Sequence, residues 1–117
     1  MHIDQYHDVI AACRFCFMCR HLDPVGNVTC LEADTPRGRA LILDRVRMDP
    51  LNLRNNDYIA TIYRSALSGA NRAHCVSHYD EVGLVLAARR DIVDAGLASE
   101  RVKTLVARLA EADFTVT

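Results

Sequence analysis

The sequence predicts an all-α domain of about five helices. Three observations carry this. Apolar residues recur at three- and four-residue spacing through most of the chain. Helix-start and helix-stop residues frame those stretches. No segment shows a convincing period-two alternation of apolar and polar residues. A length of 117 residues suits one hydrophobic core, so residues 1–117 read as a single domain. Half the residues are hydrophobic and 25% are charged, which excludes a disordered or collagen-like chain.

The elements follow in order. Residues 4–12 suit a short helix with Tyr6, Val9 and Ile10 on one face. A cysteine-rich loop comes next, then a turn at Asp23-Pro24-Val25-Gly26-Asn27. Thr35-Pro36 is a helix start, with Thr as the N-cap and Pro at the first helical position. That helix carries Ala40, Leu41, Ile42, Leu43 and Val46, and ends near Met48, before Pro50. The next begins near Asn56 as N-cap, with Tyr58, Ile59, Ile62, Tyr63, Ala66 and Leu67 at helical spacing. Gly69-Ala70-Asn71 breaks it. A fourth helix runs from about Tyr79 to Ala95, with Val82, Val85, Leu86, Ile92 and Val93 inward and Gly96 as the stop. The last helix, residues 99–112, starts at Ser99 and is expected to bury Val102, Leu105, Val106 and Leu109. Phe114-Thr115-Val116-Thr117 reads as a tail.

The net charge is −1, from 14 basic and 15 acidic residues spread evenly along the chain. That balance leaves no basic face for a nucleic-acid backbone. The start of the chain lacks the basic and apolar pattern of a signal peptide, and Val82 to Ala88 is too short to span a bilayer. The expected location is the cytoplasm. Thiols stay reduced there, so clustered cysteines favour metal or redox chemistry over disulfides.

Five cysteines are present. Cys13, Cys16 and Cys19 form a C-x2-C-x2-C triplet. Two residues between thiolates let a tight loop aim three sulfurs at three corners of one cubane. Bacterial ferredoxins continue this run as C-x2-C-x2-C-x3-C-P, and the fourth cysteine ligates the other cluster. Here the register reaches Asp23-Pro24: the proline is in place and the fourth cysteine is an aspartate. A second run would end at Cys75, the one distant candidate. Counting back from it gives Asn71, Ser68 and Ser65. The positions for one cluster thus hold Cys13, Cys16, Cys19 and Cys75, while those for the other hold Asp23, Ser65, Ser68 and Asn71. A two-cluster frame holding one [4Fe-4S] cluster is expected.

The chain resembles the helical dicluster ferredoxin domains of the fumarate reductase and succinate dehydrogenase iron–sulfur subunits. It is more similar to the iron–sulfur subunits of glycolate oxidase, anaerobic glycerol-3-phosphate dehydrogenase and heterodisulfide reductase. The resemblance runs over about residues 8–96. It rests on Cys13-x2-Cys16-x2-Cys19-x4-Pro24, on Thr35-Pro36-Arg37-Gly38-Arg39, and on Cys75-x4-Asp80 leading into Leu84-Val85-Leu86. Val76 stands where the family has proline, and the family's cysteine-rich C-C-G partner domain is absent from this sequence. The resemblance implies a helical-ferredoxin-like fold around one cluster. It also implies electron transfer with a flavoprotein dehydrogenase or other catalytic subunit, and no enzyme activity in this chain alone.

Other readings share the same residues. Zinc held by four thiolates is the alternative metal, although zinc sites usually pair two C-x2-C knuckles. Cys30 is the alternative fourth ligand. Asp23 reads as the cap of a turn before Pro24. His21, His74 and His78 are placed to donate to cluster sulfurs, or are surface loop histidines. Arg14, Arg20, Arg37, Arg39 and Arg72 either offset cluster charge or form local ion pairs. Phe15, Phe17 and Met18 would shield a cluster from water. A structural role, in which cluster or zinc assembles a docking subunit without redox cycling, is the competing function. No nucleotide fingerprint, phosphate loop or Ser-His-Asp order appears.

Overall fold

The computed structural model describes residues 1–13, 19–75 and 77–111, with the backbone alone at positions 20 and 74. Among the described residues there are seven α-helices, four short 3-10 helices and no strand. The α-helices are α1 (His7–Ala12), α2 (Pro24–Thr29), α3 (Pro36–Met48), α4 (Asn56–Arg64), α5 (Ala70–His74), α6 (Glu81–Asp94) and α7 (Glu100–Glu111). No helix is long and apolar enough to cross a membrane, among the described residues.

The centre is α3 packed against α6, with α1 and α4 each touching both. Ile10 of α1, Leu43 and Val46 of α3, Ile62 of α4, and Leu84, Val85, Ala88 and Ile92 of α6 are buried together. Full burial of each such Leu or Ile contributes roughly 1.5–3 kcal/mol. The N-terminal 3-10 helix, His2–Tyr6, closes the bottom of this core through Ile3. Its first amides are held by α6: the two Asp91 carboxylate oxygens accept from the N–H groups of His2 and Ile3. That anchor explains why residues 4–12 are not one helix. The first turns are pinned in a tighter 3-10 form, and α1 starts only at His7.

Two further helices appear where the sequence predicts a turn and a break. At Asp23-Pro24 the aspartate is an N-cap: its Oδ1 accepts from Val25 N–H (2.9 Å) and Gly26 N–H (3.0 Å), and α2 follows. Ala70–His74 forms α5 directly after Gly69, which adopts the left-handed conformation at φ 68°. The α4 helix begins one residue earlier than expected, capped by Asn55, whose Oδ1 accepts from Asp57 N–H. It stops at Arg64, before Ala66 and Leu67. Arg89 of α6 is responsible: its Nη2 donates to the carbonyls of Ile62, Tyr63 and Ser65. The cation satisfies the last-turn acceptors that another helical turn would have used.

Helices α3 and α6 match their expected positions closely. In α6, however, Leu86 is exposed and Val82 and Val93 are half-buried, while Leu84, Ala87 and Ala88 join Val85 and Ile92 inside. The expected burial of α7 does not occur. Val102 packs on the core edge, but Leu105, Val106 and Leu109 are 57%, 41% and 48% exposed. Periodicity shows which face of a helix is apolar; it does not supply a surface to cover that face.

Candidate metal centre

Each described cysteine sits at a helix boundary. Cys13 ends α1, its N–H donating to Ile10 O at 3.1 Å. Cys19 opens the 3-10 helix Arg20–Leu22, its carbonyl accepting from Leu22 N–H. Cys75 ends α5, its N–H donating to Asn71 O at 2.7 Å. Cys13 and Cys19 are buried and Cys75 is half-buried. Cys16 lies outside the described residues, as do Arg14, Phe15, Phe17, Met18 and Val76. Cys30 is different. It is exposed, it holds the left-handed C-cap of α2 at φ 59°, and its Sγ is 4.0 Å from Asn27 O.

Tyr79 joins the buried cysteines. Cys13, Ala40 and Tyr79 form a small buried cluster, and Cys75 packs against it. Burial, then the charges of Cys13, Glu81 and Cys19, push the Tyr79 phenol far above its ordinary range. The hydroxyl therefore stays protonated. It is buried with no hydrogen-bond partner among the described residues, as is the Asn71 amide nitrogen. Leaving such a group unsatisfied costs about 1–3 kcal/mol.

Directly before Ala40 of this cluster, Thr35-Pro36-Arg37-Gly38-Arg39 opens α3, and every residue has a structural task. Thr35 caps α3, accepting from Gly38 N–H at 3.1 Å and donating to Glu32 O at 2.7 Å. Pro36 takes the first helical position. Arg37 pairs with Glu32. Gly38 leaves room for the preceding turn: a Cβ there would stand 2.2 Å from Glu32 O. Arg39 is fully buried and donates to Glu81, to Asp23 and to the Asp34 carbonyl (2.8 Å). Burial works against the Arg39 cation, but the charges and hydrogen bonds of Glu81 and Asp23 outweigh it and raise its pKa.

Asp23 thus has both carboxylate oxygens committed, one to the α2 amides and one to Arg39. Two of the three other positions without cysteine hold backbone amides, Asn71 being the exception. Ser65 Oγ accepts from Leu67 N–H and Ser68 Oγ from Ala70 N–H. The histidines and arginines of the sequence reading divide similarly. His21 and His78 are exposed, with His78 Nδ1 against the Arg72 carbonyl at 2.5 Å. Arg72 is an exposed partner of Asp80 at 3.8 Å. The side chains of Arg20 and His74 lie outside the described ones.

Among the described residues, one group of three ligand-type side chains has its donor atoms within 4.8 Å of one another: His2, Asp91 and Asp94. Asp91 there holds two amides, and His2 Nε2 is 2.8 Å from Asp94 Oδ2, so the group reads as a capped ion pair. Cys13, Cys19 and Cys75 do not form such a close set. A tetrahedral zinc at about 2.3 Å from each sulfur would draw thiolates to about 3.8 Å apart. An iron–sulfur cubane, with each thiolate on a different iron, spreads its ligands wider and offers sulfides that accept hydrogen bonds. Two buried thiols with a third at the rim are donors of the kind such a group takes.

No family model, curated protein or solved structure matches the chain.

Reasoning from sequence did not find Tyr79, Arg39's burial or Glu81. Tyr79 left one signal: it is the lone aromatic in the polar stretch between Cys75 and α6.

Proposed function

We propose that this chain is a small iron–sulfur subunit that carries one [4Fe-4S] cluster. It passes electrons between that cluster and a flavin-dependent dehydrogenase in the cytoplasm. Cys13, Cys16, Cys19 and Cys75 are the ligands; Cys30 is not one. The observation that carries this reading is the gathering of Cys13 and Cys75, with Cys19 nearby, around one buried tyrosine. Cys75 is remote in sequence from Cys13 and Cys19, and a shared cofactor gives a reason for gathering the thiols. Bound there, the cluster would supply a reversible one-electron carrier. The chain's own residues supply the rest. Cys13 and Cys19 are positioned by helix ends, the Asp23–Arg39–Glu81 network sets the spacing of α2, α3 and α6, and Tyr79 and Ala40 exclude water.

The second reading keeps the ligands and removes the redox role, making the cluster a staple for a docking subunit. Closing the loop from Cys19 to Cys75 would constrain the unfolded chain. Absence of ligands for a second cluster favours this reading, because one cluster makes a shorter electron path.

Anaerobic purification with iron and sulfide analysis tests the first claim. About four irons and four sulfides per chain are expected; zinc without sulfide would overturn it. Cys75→Ser should abolish iron binding and Cys30→Ser should leave it intact. Electron paramagnetic resonance before and after reduction separates the two readings: a cluster that cannot be reduced reversibly leaves only the structural one.

A further inference from the structure

We propose that the Tyr79 hydroxyl donates a hydrogen bond to a sulfur of the cluster site, and so raises its reduction potential. The inference rests on the iron–sulfur reading above. Its own ground is geometric. Tyr79 is 3% exposed, it packs directly with Cys13 and Ala40, and Cys75 borders the same cluster. Its hydroxyl is fully buried and has no partner among the described residues. Buried hydroxyls are almost always satisfied, so an orphan on a residue that packs with candidate ligands marks a place where an acceptor belongs. Cluster sulfurs and ligating thiolates are such acceptors.

The chain positions Tyr79 firmly. It stands two residues before Glu81, whose carboxylate is locked to Arg39, and one before Asp80, the N-cap of α6. One electron from a reduced flavin would add negative charge to the sulfurs of a cluster bound there. A donor at fixed position stabilises that reduced form more than the oxidised one. Tyr79 keeps its proton throughout; no bond to hydrogen is broken.

Tyr63 is the control. Its hydroxyl is likewise buried and without a partner among the described residues, but it packs against the main core and beneath Arg89. The experiment compares the anaerobically purified full chain with Tyr79→Phe and Tyr63→Phe by iron and sulfide content, circular dichroism and redox titration. Tyr79→Phe should retain the helical spectrum and lower the ratio of reduced to oxidised cluster at fixed potential about tenfold, which is about 59 mV for one electron. Tyr63→Phe should leave the ratio unchanged. Selective loss of iron from folded Tyr79→Phe, with Tyr63→Phe fully loaded, also supports the assignment. An unchanged ratio in fully loaded Tyr79→Phe overturns it and leaves the cluster reading intact. Equal effects of the two substitutions overturn it as well, because they would reflect packing. Wild-type chain without iron and sulfide overturns the underlying reading instead.

Discussion

Arg39 and Glu81, 42 residues apart in sequence, form a fully buried ion pair between α3 and the first turn of α6. Asp23 joins from the cap of α2, so one guanidinium ties three helices together. Each of the three guanidinium nitrogens donates one hydrogen bond, with the Asp34 carbonyl as third acceptor. Its importance lies in what happens when one member is removed.

Arg39→Met should destabilise the chain by about 3–5 kcal/mol, because two buried carboxylates lose their cation. Arg37→Ala, which removes a partly exposed pair with Glu32, should cost under about 1 kcal/mol. Urea denaturation of both variants checks the contrast. Similar midpoints would mean that the buried network contributes no more than the surface pair.

Glu81 gives a pH dependence. Burial pushes its carboxyl above the ordinary value, against the pull of Arg39. The folded state therefore binds this proton more tightly than the unfolded state. The stability tied to it is fully present below the unfolded value, about 4.3, and is lost as pH rises through the higher folded one. Wild type should lose stability relative to Glu81→Gln as pH rises through that window. Urea midpoints of the two proteins from acid to neutral pH test this; parallel curves would refute the raised carboxyl.

Gly38→Ala places a methyl 2.2 Å from Glu32 O and 2.8 Å from Ala33 Cα, both main-chain atoms. The turn before α3 must move, at a cost of about 1–3 kcal/mol. Ala substitution at a helix interior normally stabilises slightly. A melting temperature equal to or above wild type would show that the turn yields freely.

The exposed stripe on α7 should contribute little to folding. Leu105→Gln and Leu109→Gln should each change stability by less than about 0.5 kcal/mol. Leu84→Ala, fully buried in α6, should cost about 2–5 kcal/mol. Calorimetry on the three variants checks the ranking; large losses from the α7 changes would place that helix against the core.

The all-α class and the bounds of α3 and α6 were legible because caps and periodicity act over a few residues. Thr35-Pro36 marks a helix start in any context. So does an aspartate capping α6, although Asp80 rather than the Tyr79 region sets that boundary. The reading of Asp23 as a cap was correct in kind, yet the helix it opens was missed, since Asp-Pro serves turns and N-caps alike. The end of α4 was not legible, because the group that terminates it, Arg89, arrives from another helix.

By itself the sequence determined a helical chain, the cysteine spacing, and the polar residues Asp23, Ser65, Ser68 and Asn71 at the other positions of that register. Local chemistry suffices for these. Tertiary structure decided which apolar faces find a partner, leaving α7 half-bare, and which charges go inside, locking Arg39 between Asp23 and Glu81. It also decided that Tyr79 meets Cys13 with its hydroxyl unsatisfied among the described residues. Burial and pairing depend on neighbours brought from far along the chain, and no local pattern encodes those neighbours.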